Sequence, residues 1–494
     1  MVSARRTHYQ LTFAVLAAGV GAFALLQSLV IPVLTTVQQE LHTSQSAATW
    51  VLTAYLLSAS IMTPILGRVG DMKGKERVFV VALAALAAGS LMAALASSIG
   101  VMIVARVIQG AGGGMIPVAF GIIRDEFPAG KVATAVGTIA GLTSVGGGLG
   151  IVLAGPIVDG LGYRWLFWLP LIGTVLAAAG AVLFVPESPV RSPGRISWLP
   201  TVLLSGWLAA LLVALSEASS WGWGSAAVIG LLAAAVLLAL AWVIAELRAA
   251  TPLIDMHMMR RPAIWTNNLV ALLIGMGMYA TFAFLPEFVQ TPPSAGYGFG
   301  ASITRSGLML LPSSITMFPV SLCAGMLARR FGGKTLVVAG CLAGSVAMSI
   351  LAFAHAHAWE IYLAAGILGI GFGLAFSAMS ALVVAAVPAD QTGVASGMNA
   401  NIRTIGGSIG AAVMASIVTA SLLPSGLPEE AGYTTGFAVM AGCLALAALA
   451  GSLIPGPRRL RQAASEPRHA EVAEVAVAAE DLVAGLGPRP EGAA

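Results

Sequence analysis

Of the 494 residues, 58% are hydrophobic and only 9% are charged, where an average soluble domain carries roughly a quarter charged residues. The 25 Lys and Arg and 21 Asp and Glu leave a net charge of +4. That is too little polar surface to clothe a globule of this length in water, which excludes a soluble enzyme and a disordered chain and implies a lipid bilayer as solvent.

A helix needs about 20 mainly apolar residues to cross the hydrocarbon. Runs of that kind begin near Leu11, Ala47, Val78, Ile99, Val132, Trp165, Leu199, Ala226, Ala263, Thr304, Thr335, Ile361, Gly393 and Thr434, predicting fourteen membrane helices. The run from Leu199 is the weakest, being short and followed by Glu217 and a Trp-Gly-Trp loop; Trp221 and Trp223 are expected to anchor at the membrane interface. Arg5-Arg6 ahead of the first run reads as the flank of a retained signal-anchor helix rather than a cleaved export signal, because so many spans follow it. The three cysteines (Cys323, Cys341, Cys443) lie in apolar runs, which speaks against a disulfide framework.

Basic residues favour cytoplasmic loops. With both termini inside, 21 of the 25 bases fall in cytoplasmic segments, only Arg164 and Arg305 fall outside, and Arg106 and Arg403 lie within spans. Adding or removing one span would scramble that segregation for everything downstream. Fourteen helices with cytoplasmic ends is the expected topology, and residues 455–494, mixing Pro, Ala, Glu and Arg, read as a cytoplasmic tail.

The chain also repeats itself. Pro128-Ala129 recurs as Pro388-Ala389, Gly137 as Gly397, and Gly146, Gly147 and Gly150 as Gly406, Gly407 and Gly410, all displaced by 260. Gly110, Gly112 and Gly114 pair with Gly369, Gly371 and Gly373 at 259, and Gly67 and Gly74 with Gly325 and Gly332 at 258. Spans 1–6 therefore correspond to spans 9–14, in the same orientation, with spans 7 and 8 inserted. The expected domains are an N-terminal six-helix half (1–186), a linker with two extra membrane helices (187–262), a C-terminal six-helix half (263–454) and the tail. Parallel repeats of this kind are one architecture of secondary transporters, with the substrate site between the halves near mid-membrane.

After span 2 the chain reads Gly67-Arg68-Val69-Gly70-Asp71-Met72-Lys73-Gly74-Lys75-Glu76-Arg77, which by itself is either a tight functional turn or an ordinary basic loop. It resembles the G-x-x-x-D-x-x-G-[RK]-[RK] signature of the major facilitator superfamily, with Glu76 at the second basic position. Span 4 carries Arg106-Val107-Ile108-Gln109-Gly110-Ala111-Gly112. An arginine there is costly and faces a cavity or a partner unless it snorkels to the interface. The run resembles the family's R-x-x-Q-G-x-G motif, whose arginine is associated with proton coupling. Span 5 carries Gly150 and then Gly155-Pro156-Ile157-Val158-Asp159-Gly160, similar to the G-P-x-x-G-G motif of antiporters, with Asp159 at its first final glycine. Gly162-Tyr163-Arg164-Trp165-Leu166-Phe167 resembles a W-R-W-x-F segment of the fourteen-helix drug:proton antiporter branch.

That resemblance implies an all-α membrane protein with the major facilitator fold: two six-helix bundles in parallel repeat plus two inserted helices. It implies a secondary exporter of small amphipathic molecules by proton antiport, monomeric in the cell membrane, and not an enzyme. Its partners would be a small-molecule substrate, protons and lipid, with no nucleic acid and no cofactor. Proton coupling is assigned to Arg106 and Glu287, the latter ending span 9 beside Pro286. A conformational latch is assigned to Gly67, Asp71, Gly74 and Arg124, and the antiporter motif to Gly150, Gly155 and Pro156. The substrate cavity draws on Gln27, Tyr55, Gln109, Asn268, Tyr279 and Phe282. Met276, Met278 and Met379 are available as an adaptable wall.

One departure bears on mechanism. The branch places an acid in span 1 about nine residues before a proline; here Pro32 is present, Phe23 stands at that distance, and span 1 has no carboxylate. Arg403 in the cytoplasmic half of span 13, near Asn399 and Asn401, is either a second-half counterpart of the latch charges or a snorkelling base. His355-Ala356-His357 lacks a third metal ligand and reads as surface histidines. No nucleotide-binding G-x-x-x-x-G-K-[ST] occurs, which argues against an ATP-driven pump. A facilitator or importer without coupling, or a membrane sensor, remain the alternatives.

Overall fold

The computed structural model describes residues 5–30, 33–187, 197–249, 252–388 and 391–455. Pro32 and the tail beyond Pro455 lie outside the described residues. The fourteen long helices are α1 (Arg5–Leu29), α2 (Gln45–Lys73), α3 (Lys75–Ala94), α4 (Ile99–Glu126), α5 (Ala129–Leu161), α6 (Trp165–Phe184) and α7 (Trp198–Trp221). They continue as α8 (Ala226–Arg248), α9 (Pro262–Gln290), α10 (Ile303–Phe331), α11 (Gly333–Phe353), α12 (Ala358–Ala386), α13 (Thr392–Val418) and α14 (Glu430–Ser452). Each is long and apolar enough to cross a membrane, including α7, the weakest expectation from sequence. No strand occurs among the described residues. A short helix, Leu34–Glu40, follows α1 and was not expected.

Local chemistry sets the helix ends. Even-numbered helices start at the end of the bundle opposite the base-rich loops. There Ser44, Ser98, Ser225 and Ser302 accept backbone N–H groups three residues on, and His357 and Glu360 form a capping box. At the base-rich end, the α2–α3 and α10–α11 turns close on Gly74 (φ 113°) and Gly332 (φ 87°). The two glycines paired by the sequence repeat thus adopt the same conformation, one that a side chain would strain.

The packing repeats as well. In the first bundle α1 packs on α5 and α6, α2 on α4, and α3 on α4 and α6; α9 to α14 reproduce each pair in the second bundle. Small residues bring the backbones together: a Cβ on Gly146 would stand 2.6 Å from Ala24 Cβ, and one on Gly406 2.7 Å from the Leu272 carbonyl carbon. The bundles meet along a seam of α2 and α5 against α13 and α10, with α4 and α12 also contributing. Of the inserted pair, α7 packs on both α2 and α13, while α8 packs on α7 and is mostly exposed. Leu183 on α6 and Leu237 on α8 are 72% and 67% exposed, as lipid-facing side chains are. Cys323 is likewise exposed, whereas Cys341 is buried; all three cysteines are free.

Candidate functional site

The base-rich end is where the bundles close on each other. Asp71, at the end of α2, is buried, and its Oδ2 accepts the Val394 N–H in the first turn of α13 at 3.2 Å. Lys75 Nζ lies 3.9 Å from Asp71 Oδ1 and donates to Asp125 Oδ2 at 2.7 Å, all three side chains being almost wholly buried. Arg124 Nη1 reaches across the seam to the carbonyl of Val384 at 2.6 Å, the carbonyl of Pro388 at 3.3 Å and Thr392 Oγ1 at 2.9 Å. A Cβ on Gly67 would stand 2.7 Å from the Gly393 carbonyl oxygen, so the two helices meet backbone to backbone. Ser377 Oγ adds a 2.8 Å bond to the Gly137 carbonyl, between α12 and α5.

Within the first bundle, Arg106 is fully buried. Its Nε donates to the Val51 carbonyl at 3.0 Å and its Nη1 to Gln109 Oε1 at 2.8 Å, while its Cζ lies 4.1 Å above the Tyr55 ring. Gln109 Nε2 donates onward to Ser90 Oγ at 3.1 Å, tying α4 to α3. No carboxylate among the described residues pairs with Arg106. The Phe23 ring packs 5.9 Å from that of Tyr55. The span-1 position where the resemblance expects an acid is therefore filled by an aromatic pair, and the buried guanidinium is met by a ring face.

Three neighbouring hollows lie on the seam. A central one of about 100 Å³ is lined by Gln27, Ser28, Thr143, Met278, Tyr279 and Phe282 among others, with Arg403. Below it, toward the base-rich end, a space of about 10 Å³ is lined by Ser380, Ser396, Asn399 and again Arg403. Above it, a cavity of about 310 Å³ opens between α2, α7, α9 and α13, with Tyr279 on its wall. Gln27 Nε2 donates to the Tyr279 hydroxyl at 3.3 Å, bridging α1 and α9 between the central and upper spaces. Thr53 Oγ1 and Ser216 Oγ lie 2.8 Å apart, so inserted helix α7 forms one side of the upper cavity.

Residues 16–411 match the description of the Major Facilitator Superfamily. The chain belongs to the Major Facilitator Superfamily. It is 28% identical over 408 residues to the tetracenomycin C resistance and export protein of Streptomyces glaucescens, covering 81% of this chain and 74% of that one. It is 28% identical to the multidrug transporter protein MdtP of Bacillus subtilis, covering 74% of this chain and 67% of that one. The fold is similar to that of the human organic anion transporter MFSD10, with a TM-score of 0.66 at 17% identity, covering 90% of this chain and 99% of that one. The superfamily consists of multi-pass membrane transporters of small molecules.

In this major facilitator protein, the residues expected in the cavity separate into two groups. Gln27, Tyr279 and Phe282 line the central space. Tyr55 and Gln109 are instead engaged with Arg106, and Asn268 accepts from Asn399 Nδ2 at 2.9 Å beneath it. Glu287 is exposed at the far end of α9, in the other bundle from Arg106, and no contact joins the two. Gly67, Asp71, Gly74 and Arg124 assemble at the base-rich closure. Gly155 abuts Thr304 of α10 across the seam, Gly150 packs on Ser28 and Leu25 within the first bundle, and Pro156 is exposed. His355 bonds Glu430 at 2.8 Å, and no metal-binding cluster occurs among the described residues.

Sequence reasoning passed over three contributors. Nothing in the order of residues joins Lys75 to Asp125; their burial and 2.7 Å bond mark them as a pair. Glu246, in the last turn of α8, accepts from Trp242 Nε1 at 3.1 Å, Leu253 N at 2.9 Å and Ile254 N at 3.3 Å. An acid at a helix C-terminus opposes the dipole and so signals a compensating set of donors; that was the available cue.

Proposed function

We propose that this protein is a secondary transporter that exports small amphipathic molecules across the cell membrane by proton antiport with alternating access. The observation that carries the reading is a seam with a hollow at its centre and another between α2, α7, α9 and α13, sealed at the base-rich end. That is the arrangement of a carrier caught with one gate shut. The base-rich end faces the cytoplasm, with both termini inside, on the distribution of Lys and Arg. Halves 1–186 and 263–454 rock about the seam, 187–262 supplies the linker, and the protein acts as a monomer without catalysing a reaction. Asp71 and Arg124 latch the cytoplasmic gate, and the glycines at 67 and 74 let its backbones close. The upper cavity combines with the central one to offer several hundred Å³, the scale of a drug-sized ligand site. The likeness to antibiotic and multidrug exporters supports export as the direction.

Arg106 and Glu287 are the residues assigned to proton coupling. Everted membrane vesicles given a fluorescent substrate in the outer medium test it: uptake should follow an imposed acid-inside proton gradient and stop on adding a protonophore. A second reading is favoured by one observation, the Phe23–Tyr55 pair standing where a carboxylate is expected. It is a facilitator without coupling, and protonophore-insensitive movement down the substrate's own gradient would establish it in place of antiport.

A further inference from the structure

The three hollows on the seam hold one charged side chain between them. Arg403 lines both the central space and the small one beneath it, and no Asp, Glu, His or Lys lines any of the three. Its Cζ sits 4.8 Å over the Phe376 ring, which fixes the plane of the guanidinium without satisfying its N–H donors. No hydrogen bond or ion pair to Arg403 occurs among the described residues. This is unlike Arg106, which spends its donors on Val51 and Gln109 inside the first bundle. A cation that snorkels would reach for the interface; this one faces a cavity at the centre of the fold.

A desolvated guanidinium without a carboxylate is costly unless its counter-ion is supplied from elsewhere. No described residue supplies one. The floor beneath Arg403 adds neutral hydrogen-bonding groups: Ser396 Oγ is buried without a partner, and Ser380 and Asn399 stand beside it. That floor has room for about one water-sized group. The walls above are apolar and deformable, with Met278, Phe282 and Tyr279. A fixed positive charge at the bottom of an apolar pocket selects a molecule with an anionic head and an aromatic or aliphatic body.

We propose that the cargo class is the amphipathic organic anion, a carboxylate or phenolate whose head pairs with Arg403 and whose body lies between Met278, Phe282 and Tyr279. The proposal rests on the transport reading above but is independent of proton coupling. Bonding between Gln27 and Tyr279 places the ring that separates the central and upper spaces, so the body of the anion enters by displacing it.

The test uses two dyes on one xanthene frame, fluorescein as the anion and rhodamine 123 as the cation, with full-length purified protein. Fluorescence anisotropy without any gradient should give fluorescein at least about tenfold tighter binding, as a buried charge pair implies. Arg403→Gln should remove that preference, weakening fluorescein by about tenfold or more while leaving rhodamine 123 within about twofold. Arg403→Lys should keep part of it. Tighter or equal binding of rhodamine 123 to the wild type overturns the proposal, and this comparison stands even if Arg403→Gln does not fold. Equal weakening of both dyes by Arg403→Gln also overturns it, since a purely structural role does that. Fluorescein binding combined with protonophore-insensitive movement would remove the antiport reading and leave the anion site standing.

Discussion

The carboxylate of Asp71 accepts the Val394 backbone N–H at 3.2 Å, so a side chain ending α2 caps the first turn of α13 in the opposite bundle. The N–H groups of a first helical turn have no partner inside their own helix, and a negative charge there also complements the dipole. If the bundles rock about the seam as proposed, the bond exists only while the base-rich end is closed, and it is then a term in the equilibrium between conformations and not only in folding.

Removing it should therefore shift that equilibrium. A hydrogen bond to a charged group contributes about 1.5–3 kcal/mol, a population change of roughly ten- to a hundredfold. Asp71→Ala should open the base-rich end accordingly, and Asp71→Asn, which keeps an acceptor but not the charge, should fall between. Spin labels at the exposed positions K73C and R330C, in a cysteine-free background, report the distance across that end. An unchanged distance distribution in Asp71→Ala would show that the contact does not hold the gate.

The seam glycines make a graded prediction. A Cβ on Gly67 meets the Gly393 carbonyl oxygen at 2.7 Å, backbone that cannot turn aside, whereas one on Gly155 meets Thr304 Oγ1 at 2.6 Å, a hydroxyl that can rotate. Overpacking a tight interface costs about 1–3 kcal/mol. Gly67→Ala should disfavour closure of the base-rich end, while Gly155→Ala should have a smaller effect, felt at the opposite end of the seam. Cysteine-accessibility measurements at both ends, run on both variants, distinguish this from a general loss of stability; equal effects at one end only would contradict it.

Much of the fold is legible in the residues, and the reason is that lipid removes most alternatives. Loop bases, apolar run lengths and the drifting glycine register each reflect constraints local to a span, and Gly74 and Gly332 show the same turn because both solve the same reversal. The closure was legible through Asp71 for a similar reason, since its motif is contiguous. Which side chains pair between helices was not. Nothing in the order of residues says that Phe23 meets Tyr55, that Lys75 faces Asp125, or that Arg403 lines a cavity while Arg106 does not. Each depends on the rotation of one helix about its axis, set by packing against helices distant in sequence.

The Arg106 cluster predicts opposite outcomes for two changes at one position. Tyr55 holds the guanidinium by its ring face at 4.1 Å, and its hydroxyl is buried without a partner. Tyr55→Phe keeps the ring and removes the unpaired group, so thermal stability in detergent should hold or rise. Tyr55→Leu removes the cation–π contact, worth about 2 kcal/mol in a desolvated site, and should lower the melting temperature. Arg106→Lys should be worse than either, because an ammonium cannot reproduce the two directed bonds to Val51 and Gln109. Melting curves on the purified variants decide the order; Tyr55→Phe falling as far as Tyr55→Leu would mean that the hydroxyl, not the ring, matters.

Glu246 makes a prediction about the segment joining the inserted helices to the second bundle. Its buried carboxylate gathers one indole and two backbone N–H groups, from Trp242, Leu253 and Ile254. Leu253 and Ile254 in turn pack with Leu204, Trp242, Val394 and Met398, so the segment is pinned between α7, α8 and the start of α13. Substituting leucine at this site leaves two backbone donors buried without acceptors, each costing about 1–3 kcal/mol. Hydrogen exchange of the peptide covering Leu253 and Ile254 should accelerate by roughly tenfold or more in Glu246→Leu, and by less in Glu246→Gln, which retains one carbonyl oxygen. Exchange in α12 should stay as in the wild type, because the carboxylate makes no bond there. If the two amides remain protected in Glu246→Leu, the apolar packing alone fixes the segment and the carboxylate serves another purpose.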